Sequence, residues 1–395
     1  MDYIKIEEQV DCLIVGCGLT GSVIARELAE QKKKIMIWER RDHIGGNMFS
    51  YTDKHGFQIH KYGPHAFHTN KRELYAYVCQ YEQWQEYKPI CGAVLNKVYT
   101  PTPFNFKTID IFYTAEKGKR LKDKLRKEYF GQKTVPITAM LEHPDSEIRE
   151  YAEFLFQNDY APYTAKQWGV SASEIDPSVL RRVPIRFSYK EELFDDSIQV
   201  MPVHSYTTFF ENLLNHPNIL VKFGTDALDH LSTHGEELRL DGRPIKIPVV
   251  YTGALDELFG GVYGQLPYRS LRFEWKYSPT DSFQPAAVVA YPQEVGYTRI
   301  TEYKKYPPQA LPGTSYVLEY PLPYVTSSKQ EPYYPVLTEK SVRCYQDYLR
   351  LAHCIPNLIP CGRLADFKYY NMDDALERAL GISKKLYKSG GLSSI

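Results

Sequence analysis

The chain has 395 residues, enough for two or three lobes around at least one large core. Lys and Arg number 48 and Asp and Glu number 48, so no global field exists to recruit nucleic acid or an anionic membrane. Aromatic residues at 14% exclude a disordered chain, and seven cysteines, odd in number and never spaced C-x-x-C, argue against a disulfide framework or a zinc ribbon.

In chain order, the first nine residues carry acids and no apolar stretch of a signal peptide. No run approaches the ~18 apolar residues of a membrane span, so a cytoplasmic protein is the expectation. Asp11 to Val15 reads as a buried strand, Ser22 to Gln31 as an amphipathic helix and Lys34 to Glu39 as a second strand. Between strand and helix stands Gly16-Cys17-Gly18-Leu19-Thr20-Gly21, a G-x-G-x-x-G turn in a β-α-β unit. Its glycines permit a tight turn, close approach of a pyrophosphate, and packing of helix on strand. Glu39, 23 residues after Gly16, is placed to accept from ribose hydroxyls and disfavours a 2′-phosphate. Residues 105–160 read as helical, with Leu121, Leu125 and Tyr129 at four-residue spacing and Ser146 to Tyr160 as one helix. From Arg182 to Tyr345 short Val-, Tyr- and Phe-rich runs alternate with Pro and Gly, which predicts an antiparallel sheet. Examples are Leu271 to Trp275, Ala287 to Tyr291, Tyr297 to Glu302 and Ser315 to Tyr320. Pro248 to Gly253 and Asn357 to Arg363 read as further buried strands, residues 373–386 as a closing helix, and Ser389 to Ile395 as a frayed tail. Tyr occurs 33 times against 18 Phe, which suits sugar rings and hydrated phosphates as well as half-exposed strands.

After Glu39 come Arg40-Arg41-Asp42-His43-Ile44-Gly45-Gly46-Asn47, a turn that resembles flavoproteins with a glutathione-reductase-like cofactor fold. Ile59-His60-Lys61-Tyr62-Gly63-Pro64-His65-Ala66-Phe67-His68-Thr69 makes the likeness specific: the chain resembles the bacterial UDP-galactopyranose mutases. The likeness continues through Tyr163 to Gly169, Arg182 to Phe187, Tyr268 to Leu271, Tyr297 to Ile300, Glu331 to Pro335 and Gly362 to Tyr370, in family order and over nearly the whole chain.

The resemblance implies an enzyme that interconverts pyranose and furanose forms of a sugar nucleotide for cell-surface polysaccharide synthesis. It implies FAD held non-covalently and active only when reduced, with flavin N5 attacking the anomeric carbon and no net redox. Its implied partners are the sugar nucleotide, a reductant such as NADPH or a reductase, and a second copy in a homodimer; no nucleic acid and no metal are implied. By motif position Arg182 and Arg299 would hold the diphosphate, and with His65 they form the implied catalytic set. Tyr334 and Tyr369 would donate to the same phosphates, while Tyr163, Trp168 and Asn371 would line the substrate pocket. Gly16, Gly18, Leu19, Thr20, Gly21, Glu39, Arg40, Gly45, Gly46, Asn47, His65, Arg363, Tyr370 and Met372 would contact the cofactor. Read alone, Trp168 also suits a core, and His65 and His68 also suit structural roles. The expected fold is mixed α/β, with a Rossmann-like FAD-binding domain from residues 1–70, 200–255 and 350–395. An inserted helical lobe would span 71–90 and 105–181, and an antiparallel sheet domain 91–104, 182–199 and 256–349.

Several positions depart from the galactose-type pattern. His204 and Ser205 stand where the family carries two glycines beside the flavin, Leu193 replaces a tyrosine, and Asn371 replaces an acid. Asp159 and Tyr160 stand where two aromatics precede Tyr163, and Pro64 sits in the histidine loop. These changes leave open a mutase for another sugar nucleotide, such as a dTDP-6-deoxyhexose, a UDP-N-acetylhexosamine or a GDP-sugar. A flavin amine oxidase sharing the cofactor fold is the alternative from another class.

Overall fold

Parallel strands must be covered on both faces, and the apolar runs of this chain meet that demand. The computed structural model describes residues 9–169, 171, 180, 183–326 and 330–388. Five strands form a parallel sheet in the order Ile219–Lys222, Ile35–Trp38, Cys12–Val15, Val249–Tyr251 and Leu358–Pro360. Alternation along each strand divides the core in two. Ile14, Ile37, Val250 and Ile359 face Val23, Ile24 and Leu28 of the helix Leu19–Glu30, with Leu376 and Ala379 of Met372–Lys388 behind them. Leu13, Met36, Val249 and Leu358 face the other way, onto Leu255, Leu258, Tyr345 and Tyr348.

Val15, Trp38 and Tyr251 end three neighbouring strands, and all three line one cavity. This is the carboxyl edge of the sheet, where chain connections diverge to either side and leave a crevice. The helix Leu19–Glu30 starts at that edge and lies so close to the sheet that a Cβ on Gly21 would fall 2.0 Å from the Gly16 carbonyl oxygen.

The second sheet has seven strands, in the order Tyr334–Pro335, Tyr268–Ser278, Thr314–Pro323, Arg299–Glu302, Val288–Ala290, Cys91–Leu95 and Val98–Thr102. It was expected to be antiparallel and is mixed, because Val288–Ala290 runs parallel to Cys91–Ala93. Helices Phe106–Phe112, Ala115–Glu128, Ile137–Leu141, Ser146–Leu155 and Ala161–Trp168 form a lobe above it around Ile109, Leu121, Leu125, Ile148, Tyr151 and Leu155.

Other departures from the sequence reading have local causes. The single helix expected over Ser146 to Tyr160 ends at Leu155 and widens into a π-turn over Phe156–Tyr160, closed by the Ala161 N–H on the Phe156 carbonyl. Pro162 follows at once; it has no N–H to return to Asn158, and the wider turn relieves its ring. The helix Tyr206–Leu214 and the strand Ile219–Lys222, the latter in the parallel sheet, fall in the stretch 200–255 that the sequence assigned to the cofactor domain, whereas the expected sheet domain is broken at its end by the helix Glu339–His353. The last buries Tyr345, Tyr348 and Ala352, and tyrosines on a helical stripe look like a strand when composition is weighed above period. Arg182, the first eight residues and the tail 389–395 lie outside the described residues. No helix among the described residues is long and apolar enough to cross a membrane.

The contact at Gly21 is backbone against backbone, so an added methyl cannot be absorbed by a rotamer change. Gly21→Ala should lower stability by at least ~2 kcal/mol through overpacking. Thermal unfolding checks this, and an unchanged midpoint would mean the helix can slide off the strand freely.

Candidate active site

Two cavities lie side by side. The first, of about 230 Å³, is lined by all fourteen residues that the sequence assigned to a cofactor: Gly16, Gly18, Leu19, Thr20, Gly21, Glu39, Arg40, Gly45, Gly46, Asn47, His65, Arg363, Tyr370 and Met372. Gly18 precedes the helix Leu19–Glu30 without a side-chain cap, so the first N–H groups face the cavity free to receive an anion. A Cβ on Gly46 would come 2.9 Å from the Gly18 Cα, so the two turns form a close glycine cradle. Glu39 is buried at the end of its strand, its two oxygens accepting the backbone N–H groups of Cys17 at 2.7 Å and Arg41 at 3.0 Å. Each carboxylate oxygen keeps a lone pair for a ribose hydroxyl. An uncapped helix start, a glycine floor and a fixed acid together suit a dinucleotide diphosphate with free ribose hydroxyls.

The sequence missed part of this cavity. Arg41 donates to Asn47 Oδ1 at 3.0 Å and pairs with Glu331 at 2.9 Å, and Glu331 also holds Arg40. Asp226, Ala227 and Thr252 line the same space from distant segments; Thr252 binds the Val15 carbonyl at 2.7 Å. Only the strand ending at Gly253 hinted at the last of these.

The second cavity, of about 400 Å³, is lined by Tyr163, Trp168, Arg299, Tyr334, Tyr369 and Asn371, and shares Asn47, His65, Tyr333, Arg363, Tyr370, Asn371 and Met372 with the first. Strand register creates its charged centre. Arg299 stands directly opposite Glu319, and Arg299 Nε lies 2.8 Å from Glu319 Oε2. Thr301 Oγ1 donates to the other oxygen at 3.3 Å. Glu319 is 1% exposed and Arg299 30%, so the acid is the buried anchor and the guanidinium turns its remaining N–H groups to the cavity. Burial opposes the Arg299 charge, but Glu319 outweighs it and keeps the group protonated.

The helix Ala161–Trp168 supplies the opposite wall. Tyr163, Thr164, Gln167 and Trp168 share the cavity face at helical spacing. Trp168 meets Tyr334 edge-on at 4.9 Å and lies 6.1 Å from Tyr369, and Gln167 Nε2 donates to the Tyr334 hydroxyl. Burial pushes the Tyr163 phenol up to about 12 and raises that of Tyr334, so both remain donors at neutral pH. Two cations fix the helix in place. Lys166 Nζ binds the carbonyls of Tyr291, Glu294 and Tyr297 at 2.6–2.7 Å, just ahead of Arg299, and Arg269 binds those of Gln167 and Lys166 at the helix end.

His65 stands on the wall between the cavities. Its Nδ1 lies 2.8 Å from the Gly63 carbonyl, which can only accept, so Nδ1 carries the proton and Nε2 a lone pair. Burial, then Arg363 and Arg299, lower its pKa to about 4, leaving it neutral at physiological pH. His68 also lines the second cavity and binds Asp196 at 2.8 Å.

The departing residues separate by position. Leu193, Asn371, Pro64 and Asp159 line the second cavity. His204 and Ser205, expected beside the cofactor, line neither cavity: His204 is exposed and pairs with buried Glu82, and Ser205 caps Tyr206–Leu214 through Thr208 N–H. A backbone that turns outward before this helix can carry side chains there without cost.

Fold and site together define an α/β enzyme with a Rossmann-type cleft opening on an arginine- and tyrosine-lined cavity. A family model described as UDP-galactopyranose mutase matches residues 158–369, and one described as an NAD(P)-binding Rossmann-like domain matches residues 14–81. UDP-galactopyranose mutase of Mycoplasma pneumoniae is 30% identical, covering 95% of this chain and 96% of the relative. dTDP-fucopyranose mutase of Escherichia coli is 32% identical, covering 95% and 98%. A crystal structure of reduced UDP-galactopyranose mutase superposes with a TM-score of 0.68 at 16% identity over 96% of each chain, and putrescine oxidase with 0.61 at 11% over 96% of this chain and 99% of the oxidase. At those identities the superpositions show the fold alone, the amine oxidase likeness included. The chain belongs to the UDP-galactopyranose mutase family and is a mutase, an isomerase acting on sugar nucleotides.

Asp159 yields a test of the site's energetics. Burial raises its carboxyl pKa to about 7 from 3.8. Between those values the folded protein holds a proton that the unfolded chain releases, so stability falls as pH rises toward 7 and stays reduced above it. Asp159→Asn should therefore be more stable than the natural protein by roughly 2–4 kcal/mol at pH 8, with the gap closing near pH 4. Thermal unfolding across this range checks the sign; equal stability at pH 8 would show that the carboxylate is solvated.

Proposed function

We propose that this protein is a reduced-FAD-dependent mutase that interconverts the pyranose and furanose forms of a nucleoside-diphosphate sugar, UDP-galactose or a close relative. The observation that carries the reading is the shared wall: one end of the dinucleotide cleft opens onto the cavity that holds Arg299, with His65 and Arg363 between. FAD fits the first cavity by the glycine cradle, the uncapped helix start and Glu39, and when bound and reduced it supplies a nucleophilic ring nitrogen for the anomeric carbon.

The chain's own residues account for the rest. Arg299 binds the diphosphate through its free N–H groups and, held by Glu319, keeps its place as charge builds on the leaving oxygen. Tyr334 and Tyr369 donate hydroxyl hydrogens to the same phosphates; the Gln167 amide fills a lone pair of the Tyr334 oxygen and so turns its hydrogen outward. The motif places Arg182 as the second phosphate-binding arginine. Arg363 lies 5.1 Å from the Tyr369 ring and favours anionic charge at the junction. His65 Nε2 accepts a hydrogen bond from a sugar or flavin N–H or O–H group. Trp168 and Tyr163 wall the nucleotide's part of the cavity opposite Arg299. A two-electron reductant such as NADPH or a reductase, a homodimeric state and a cytoplasmic setting complete the reading.

A second reading concerns the substrate. Asp159, Leu193 and Asn371 all face the second cavity, and the dTDP-fucopyranose mutase at 32% identity falls within the 30–35% range of the galactose enzymes. These observations favour a sugar nucleotide other than UDP-galactopyranose.

One assay tests both. Dithionite-reduced protein should form furanose product from one member of a sugar-nucleotide panel without consuming reductant per turnover, and oxidised protein should be inactive. Equal activity of oxidised enzyme would overturn the mechanism, and a tenfold preference for UDP-galactopyranose would overturn the second reading.

Arg299→Ala should lower kcat/KM about 30-fold, or ~2 kcal/mol of transition-state stabilisation, with flavin content unchanged. The same holds for Arg182→Ala. Full activity in either variant would move the phosphate site elsewhere.

A further inference from the structure

Asp159 is 9% exposed, lines the second cavity, and among the described residues has no hydrogen-bond or ion-pair partner. A buried carboxyl without a partner is costly and rare, and a ligand donor is one way to complete it. Among the described residues beside it, none donates to the Asp159 carboxyl. Tyr160 spends its hydroxyl on the Val183 carbonyl at 2.5 Å, and Leu180 and Val183 are apolar. Asp159 lies in the π-turn over Phe156–Tyr160 and lines the cavity together with Tyr160 and Tyr163.

The helix also sets the distance. Trp168 marks the end beside Tyr334 and Tyr369, and Asp159 lies nine residues earlier. At a helical rise of ~1.5 Å per residue that is on the order of 10–13 Å, the reach of a nucleoside diphosphate from its outer phosphate to its base. No residue shared by the two cavities comes from this helical lobe, so the sugar's end of the cavity is the far one.

Resting on the sugar-nucleotide reading above, we propose that Asp159 determines base specificity by accepting a hydrogen bond from the ring N–H of the nucleotide base. Uracil, thymine and guanine carry that donor. Cytosine and adenine present a ring lone pair at the same edge, which a carboxylate repels. The tighter of these bases is the one whose carbonyls stay clear of the second carboxylate oxygen.

The test is calorimetric binding of UDP, dTDP, GDP, CDP and ADP at pH 8 to the flavin-loaded protein, to Asp159→Asn and to Asp159→Leu. Both substitutions remove a buried charge, and flavin content confirms that each variant is folded. One of UDP, dTDP or GDP should lead CDP and ADP by at least tenfold in the natural protein. Asp159→Leu should abolish most of that lead, and Asp159→Asn, which offers both a donor and an acceptor, should reduce it. CDP and ADP affinities should hold or rise in both variants, since the repelling carboxylate is gone. A lead held by CDP or ADP, a lead unchanged in Asp159→Leu, or a lead that appears only when a sugar is attached would overturn the proposal. If sugar nucleotides turn over while the lead survives in Asp159→Leu, this inference alone fails. If no nucleotide binds and none turns over, the functional reading fails with it.

Discussion

The site is organised around the ion pair of Arg299 and Glu319. A carboxylate as buried as Glu319 is tolerable only when paired and hydrogen-bonded, and both conditions are met across adjacent strands. The pair depends on register: a slip of one residue between Arg299–Glu302 and Thr314–Pro323 would turn the arginine to the other face of the sheet. Because Glu319 occupies Nε, the guanidinium presents its remaining N–H groups from a fixed base. The orientation of the Arg299 guanidinium is thus set by sheet pairing.

A second constraint joins lobe to sheet. Lys166 spends three N–H bonds on carbonyls just ahead of Arg299, and Arg269 closes the end of the same helix. These cations serve geometry, holding Tyr163 and Trp168 across from Arg299. Burial, together with the positive charges of Arg363 and Arg299 nearby, keeps His65 neutral. The site therefore combines cationic charge with an uncharged imidazole at the junction of the two cavities.

Much of the cofactor cleft was legible because its chemistry is local. The glycine turn, Glu39 and the Gly45-Gly46-Asn47 turn fall within one β-α-β stretch, and period and spacing suffice to place them. Where stripes were built of tyrosine, composition misled: the helix Glu339–His353 hid inside what looked like a sheet. The parallel pairing of Val288–Ala290 with Cys91–Ala93 joins segments almost two hundred residues apart, and no local pattern encodes it.

The sequence by itself determined the Rossmann-type unit, the family and the glycine turns and acid that line the first cavity, since backbone conformation and charge type are written residue by residue. Only the tertiary structure decided that the two cavities share a wall and that His204 and Ser205 face away from both. It also decided that Glu319 fixes Arg299, and that Asp159, in a π-turn before Pro162, lines the second cavity. Those outcomes depend on which faces meet after packing, a long-range property that burial and strand register settle and that neighbouring residues cannot.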